Sequence, residues 1–297
     1  MPNMKETHST KLKRYQRVNL TNDFMFKHCF CSKEILKPLL EELWNKEIGE
    51  IIEVVPDHRI QLNEEYRSVV CDIYVRDSYG DIYILEMQQW PQKELRKRSV
   101  CYQSISIFEQ CTKKKAGDEK VKYSSVSECY ITFLCCFDVE DVFLKEEFPN
   151  LEQVPKVIYR SNNMMFVNLK NYALIENERL QELFKFILNS DISLHVSWYV
   201  VQLLWEKVRD IRRKETMAET FYVSQGRLDE RYDDGKRIGI LLGKQKGRSE
   251  GIQIGKMDMI QRMYEDDMSV SMIAKYSGMN VSEVQEIIDQ RQYVLTR

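Results

Sequence analysis

The sequence has little that would export it, embed it in a bilayer or attract it wholesale to a polyanion. No apolar run approaches the ~18 to 20 residues that a membrane span requires. The opening MPNMKETHSTKLKRYQR is polar and basic, without the apolar segment of a signal peptide, so a cytoplasmic protein with no membrane association is expected. Net charge is only −2 over 297 residues, and contacts with nucleic acid must therefore come from local basic patches. The eight cysteines, at 29, 31, 71, 101, 111, 129, 135 and 136, form no CxxC pair. They give no zinc module and are expected to be reduced structural thiols. Glycine is scarce too, and six of its eleven occurrences fall between 235 and 255.

What is present is a change of hydrophobic period. In LTNDFMFKHCFCSKEILKPLLEELW, Thr21 or Asn22 can cap a helix, Asp23 lies in its first turn, and apolar residues recur to Leu36, Leu39, Leu40 and Leu43. A helix is predicted there, with a break near Pro38. From Ile48 to Gln88 the period drops to two, in segments at 51–62, 67–76 and 81–89. A helix from Leu95 to Cys111, a lysine-rich loop at 113–122, a buried strand CYITFLCCF at 129–137 and helices over 176–221 follow. The expected class is α/β, in the order helix, three-strand meander, helix, strand, with added helices and a small helical C-terminal module. The expected divisions are a flexible basic tail at 1–17, the α/β domain with its covering helices at 18–225, and a glycine-repeat and helix-turn-helix-like module at 226–297.

The stretch SVVCDIYVRDSYGDIYILEMQQ carries the chemistry. Read as two strands around Ser78-Tyr79-Gly80, with Gly80 in the left-handed position and Asp77 opposite Asp81, it sets Asp72 directly across from Glu86. Two carboxylates opposed on one sheet face repel. A divalent metal removes the conflict, and Mg²⁺ held by one or two carboxylates keeps waters that leave room for a phosphate oxygen and a nucleophile. Gln88, one pleat further on, would orient that water or the phosphate. The alternative is a polar strand face with Asp72 and Glu86 in solvent. Pro56-Asp57 is set aside because Asp57 lies on the wrong strand to pair with Glu86, and Asp23 is explained by helix capping and the helix dipole.

These residues, with TNDFMFKHCF before them and KRSVCYQS after, resemble the PD-(D/E)xK nuclease superfamily. The likeness is closer still to the bacterial family of recombination-promoting nucleases and transposases, and it extends over roughly residues 20 to 290. The resemblance implies a restriction-endonuclease-like core and a Mg²⁺-dependent DNA endonuclease linked to recombination, mobile elements or phage defence. Asp72, Glu86 and Gln88 fall on the catalytic positions, with Asp72 and Glu86 as metal ligands. Gln88 stands where the superfamily usually has lysine, as is common in this family. The alternative function is a catalytically weak or inactive DNA-binding or regulatory relative, and a ribonuclease is not separated from either.

Basic residues flank the motif. Lys93, Arg96, Lys97 and Arg98 lead into the next helix, where Arg98 and Tyr102, spaced i and i+4, would present to a backbone phosphate. Lys113, Lys114, Lys115, Lys120 and Lys122 form either a second basic patch or a solvated loop. Towards the C-terminus, Gly235, Gly239, Gly243, Gly247, Gly251 and Gly255 form either a flexible linker or a helical stripe along which a second backbone packs. Beyond them, MSVSMIAKYSGMNVSEVQEIIDQR resembles a helix-turn-helix with Ile273 and Ala274 on the first helix, Gly278 in the turn and Val281, Val284 and Ile287 on the second. Its second helix carries Glu283, Glu286 and Asp289 against Arg291, which suits a protein contact better than a DNA groove. A homo-oligomer through this C-terminal region is expected.

Overall fold

The computed structural model of the chain describes residues 7–61, 68–92, 94–112, 122–139, 152–154, 157–190 and 196–295. Two compact units divide it, Met1–Phe221 and Tyr222–Arg297. The first opens with helices α1 (His8–Tyr15), α2 (Asp23–Phe30) and α3 (Lys33–Trp44). Asn22 caps α2, its side-chain Oδ1 accepting the Phe24 amide at 3.0 Å. α3 runs unbroken through Pro38. The carbonyl that Pro38 leaves unmatched belongs to Glu34 in the exposed first turn, while Leu36, Leu39, Leu40 and Leu43 bury the opposite side.

The strands β1 (Ile51–Ile60), β2 (Val69–Asp77) and β3 (Ile82–Gln88) form the antiparallel meander, and helix α4 (Leu95–Thr112) crosses to β4 (Cys129–Cys135), which pairs parallel with β3. The expected order of elements is therefore present. Three short strands that periodicity did not reveal, β5 (Glu152–Val154), β6 (Ile158–Ser161) and β7 (Met164–Asn168), complete a seven-stranded mixed sheet in the order β1-β2-β3-β4-β7-β6-β5. Helices α5 (Glu178–Leu188) and α6 (Tyr199–Arg213) follow, and α6 packs on α2, α3 and α5.

Every residue of β3 is buried, as befits a central strand covered on both faces. Ile82 and Ile84 join Leu95 and Tyr102 of α4 and Ile131 and Phe133 of β4 in one core cluster. The β2–β3 turn is organised by Asp77, which is fully buried and accepts the amides of Gly49, Tyr79 and Asp81 at 2.9–3.0 Å. Gly80 closes that turn at φ +91°, where a Cβ would also meet Ser127 Oγ at 2.6 Å.

Helix α7 (Glu215–Glu265) contains the whole glycine repeat, so the linker alternative does not hold. A Cβ built at any of the six glycines meets nothing within 4 Å. In the second unit, α8 (Val270–Ser277) ends at Gly278 with φ 70°. Helix α9 (Val281–Leu295) begins with a reciprocal cap, Asn280 Oδ1 accepting the Glu283 amide and Glu283 Oε2 accepting the Asn280 amide. Ile260, Ile273, Ala274, Val284 and Ile288 form its small core. Val281 opens α9 and is exposed, and the apolar face of the helix runs through Val284 and Ile288. Among the described residues no helix is long and apolar enough to cross a membrane.

Candidate active site

The β2–β3 register runs Ile73↔Leu85, Tyr74↔Ile84, Val75↔Tyr83, Arg76↔Ile82. At the next step the main chains stop pairing and side chains take over. The Asp72 amide donates to Glu86 Oε1, and the Met87 amide donates to Asp72 Oδ2, both at 2.9 Å. Each carboxylate thus uses one oxygen to hold the opposite strand and turns the other to a cation. Asp72 Oδ1 lies 3.5 Å from Lys27 Nζ. Glu86 Oε2 lies 3.4 Å from Arg98 Nη2 and 3.3 Å from the Gln88 amide nitrogen.

This is no solvent-facing polar strand, since Glu86 is 1% exposed and Gln88 6%. Burial, and next the neighbouring Asp72 charge, push the Glu86 carboxyl up to about 8. Asp72 is raised as well, mainly by burial, while the Met87 amide and Lys27 pull the other way. At a cross-strand spacing of ~5 Å, two unit charges repel by about 3 kcal/mol at an effective dielectric of ~20. Even with Lys27 and Arg98 beside it, the metal-free pair favours a proton on Glu86.

Arg98 is fixed from several directions. Its Nη1 donates to Gln88 Oε1 at 3.4 Å and to Gln92 Oε1, and its Nη2 donates to Tyr102 Oη at 2.9 Å. Tyr102 differs from the expected phosphate contact. It is 4% exposed, and its hydroxyl donates to the Val70 carbonyl at 3.1 Å while accepting from Arg98. Because its hydroxyl bridges the Val70 carbonyl of β2 and Arg98 Nη2, the tyrosine is a strut for Arg98. Lys97 is exposed on the same helix. Lys93 lies outside the described residues, as do Lys113, Lys114, Lys115 and Lys120 of the lysine loop and the side chain of Arg291.

Two carboxylates that the sequence reading set aside come to the same place. Lys27 Nζ contacts Asp23 Oδ1 at 2.6 Å and Asp57 Oδ1 at 2.5 Å, in addition to Asp72. Asp57 does not pair with β3, as expected. It sits within β1 at φ +50°, between the pairs Pro56↔Ile73 and His58↔Cys71, and its carboxylate meets Lys27 of α2. Asp23 does more than serve the helix terminus. The Gln89 amide donating to the Thr21 carbonyl ties the start of α2 to the end of β3. The Asp23–Lys27 i, i+4 spacing was the available signal, but nothing local tells that this pair faces β2. Among the described residues no group of three or more His, Cys, Asp or Glu side chains is arranged to hold a metal.

A mixed sheet with an antiparallel meander, a crossover helix and a parallel fourth strand is consistent with a PD-(D/E)XK nuclease-like fold. The family model of the PD-(D/E)XK nuclease family transposases matches residues 20–195, more than half of the chain, and the chain belongs to that family. The family points to nuclease-like function with DNA as the implied substrate. No curated protein and no solved structure matches the chain.

Proposed function

We propose that the chain is a Mg²⁺-dependent DNA endonuclease whose working residues surround Asp72 and Glu86. The observation that carries this reading is the pair itself. Two carboxylates on adjacent strands each keep one oxygen off the main chain, in a setting where burial makes an added cation favourable. The donor set fits Mg²⁺, a hard cation that takes one or two carboxylates and completes its shell with water. Bound there, the ion would polarise a phosphoryl oxygen and make a bound water more acidic.

The chain's own residues do the rest. Asp72 and Glu86 hold the charge in place. Gln88, wedged between Glu86 and Arg98, presents its amide to the reacting phosphate or water. Arg98, held by Tyr102 and still one-third exposed, draws a backbone phosphate towards the acidic pair, with Lys97 widening the basic approach. A homo-oligomer through α7 accompanies this reading, supported by the open glycine stripe and by exposed Ile238, Leu241, Leu242 and Ile254 on the same helix.

The second reading, a weak or inactive DNA-binding relative, draws on one feature: the outward oxygens of the pair already face Lys27, Arg98 and Gln88. Plasmid nicking with Mg²⁺, run beside Glu86→Gln and EDTA controls, separates the two. Mg²⁺-stimulated cleavage lost in the variant supports the enzyme. Tight DNA binding without cleavage supports the relative, and cleavage of RNA alone redirects the substrate.

A further inference from the structure

Lys27 touches more carboxylates than Arg98 does at the site, and the proposed nuclease function gives it no role. Its side chain is 12% exposed and its ammonium touches three aspartates contributed by three elements: Asp23 from α2, Asp57 from β1 and Asp72 from β2. Asp23 and Asp57 are more than half exposed, so their ion pairs contribute little to stability. Yet β1 adopts a left-handed residue at Asp57 in mid-strand to make one of them. Backbone conformations of that kind persist where the surroundings, and often the function, require them.

The arrangement has a graded geometry. The two contacts on the exposed side are 2.6 and 2.5 Å, while the contact to the site carboxylate Asp72 is 3.5 Å. The ammonium is therefore anchored at the rim and only leans on the acidic pair. It can release Asp72 and keep two partners.

We propose that Lys27 is a resident counter-ion of the acidic site, neutralising Asp72 while no metal is bound and withdrawing to Asp23 and Asp57 when a divalent cation takes its place. This rests on the reading of Asp72 and Glu86 as a metal site. An ammonium beside a metal ligand opposes the metal's charge, so binding carries the work of displacing it. The site then stays assembled without metal, and its affinity for metal is correspondingly lowered. Asp23 and Asp57 are the receiving pair that keeps the displaced ammonium from being stranded.

Two measurements on the full chain test this. Amine labelling with an acylating reagent, followed by peptide mass analysis, reads how accessible Lys27 is with and without Mg²⁺. Calorimetric titration with Mg²⁺ compares the wild type with Lys27→Met and Lys27→Arg. Mg²⁺ is expected to raise labelling of Lys27 several-fold. Lys27→Met is expected to bind Mg²⁺ at least tenfold more tightly, and Lys27→Arg to return affinity towards wild type. Unchanged protection of Lys27 in the Mg²⁺-saturated wild type overturns the proposal even if Lys27→Met fails to fold. So does an affinity in Lys27→Met equal to wild type, and in both cases the metal site itself stands. Mg²⁺ binding by Lys27→Met but not by wild type supports the counter-ion and sinks the wild type as a Mg²⁺ enzyme. No binding by either overturns both.

Discussion

Asp72 and Glu86 are cross-strand neighbours that hold each other's strands, the Asp72 amide on Glu86 Oε1 and the Met87 amide on Asp72 Oδ2. The two side chains therefore stabilise the hairpin through hydrogen bonds, while their burial side by side opposes a second negative charge. Substitutions that remove one effect without the other have different consequences. Asp72→Asn and Glu86→Gln retain an acceptor oxygen and remove the charge. They are expected to keep the fold while lowering Mg²⁺-stimulated DNA cleavage at least a hundredfold. The alanine variants also leave a main-chain amide unmatched, which costs about 1–3 kcal/mol, so they should unfold at lower urea concentration. Cleavage assays with chemical denaturation on all four proteins decide the matter, and an active amide variant would remove that residue from the site.

Metal-free stability should depend on pH through Glu86. Its carboxyl is raised to about 8 in the folded protein, chiefly by burial and then by Asp72, against an unfolded value of about 4.3. The folded state therefore holds a proton that the unfolded state gives up. Stability in EDTA is greatest below about pH 4.3 as far as this group is concerned, and it declines as pH rises towards about 8. Asp72, also raised, acts in the same sense. Lys27 is raised by Asp23 and Asp57, and its contribution is constant across this window because it is lost only in the alkaline range. Melting curves from pH 5 to about 8 should slope downwards for the wild type and flatten for Glu86→Gln. Parallel slopes would show that Glu86 is ionised throughout.

Much of this site was legible in the sequence because a hairpin is local. Counting outwards from Tyr79 fixes Asp72 against Glu86 once Gly80 is given a positive φ, and the observed register agrees. Asn22 and the α2 boundary follow from capping chemistry in the same way. What stayed hidden depends on contacts distant in sequence. Lys27 meets Asp57 and Asp72 because the β1–β2 register sets Asp57 opposite Asp72 and α2 is tethered to the end of β3 through Gln89 and Thr21. Tyr102 has the right spacing from Arg98, but only the packing of α4 on the sheet decides that it faces inward. Strands β5 to β7 span three to five residues each, too few for a period to register, although Asn162 at φ +52° marks the turn between β6 and β7.

Removing the Tyr102 hydroxyl should disturb Arg98 without touching substrate. Tyr102→Phe loses the bond to the Val70 carbonyl and the acceptor for Arg98 Nη2. Stability should fall by about 1 kcal/mol and DNA affinity by a few-fold, with Mg²⁺ affinity held. Arg98→Ala should weaken DNA binding further and reduce its salt dependence. In Arg98→Ala the added Tyr102→Phe change should have little extra effect on DNA binding, because the strut then has nothing to hold. Additive losses in that cycle would argue for an independent phosphate contact by Tyr102.

The glycine stripe of α7 gives a test of assembly with opposite signs. Nothing lies within 4 Å of a Cβ at Gly239, Gly243 or Gly247 in the single chain, so alanine there should strengthen an isolated helix by about 1 kcal/mol per site. If a second copy packs along the stripe, side chains intrude on it. Gly239→Leu with Gly247→Leu is expected to lower the mass measured by light scattering, as is truncation before Gly235. An unchanged mass in both would leave the stripe without a homotypic role.

Gln88 is the last site residue to test, and its surroundings change what substitution should do. Its amide nitrogen lies 3.3 Å from Glu86 Oε2, and its oxygen accepts from Arg98 at 3.4 Å, so it keeps a carboxylate and a guanidinium in register. Gln88→Ala should cut single-turnover cleavage about tenfold at saturating Mg²⁺, on the scale expected for a lost positioning contact, and leave Mg²⁺ affinity nearly unchanged because Asp72 and Glu86 remain. Gln88→Lys sets an ammonium beside Arg98, only 6% exposed at that position. It takes Glu86 Oε2 for itself and repels the guanidinium, so this variant should cleave more slowly than wild type. Removing Arg98 as well relieves the repulsion, and Gln88→Lys/Arg98→Ala should recover activity relative to Gln88→Lys alone. The four rates form a double-mutant cycle. Wild-type cleavage by Gln88→Ala would reduce Gln88 to a polar strand residue, and a faster Gln88→Lys would show that the site lacks a positive charge that Arg98 does not supply.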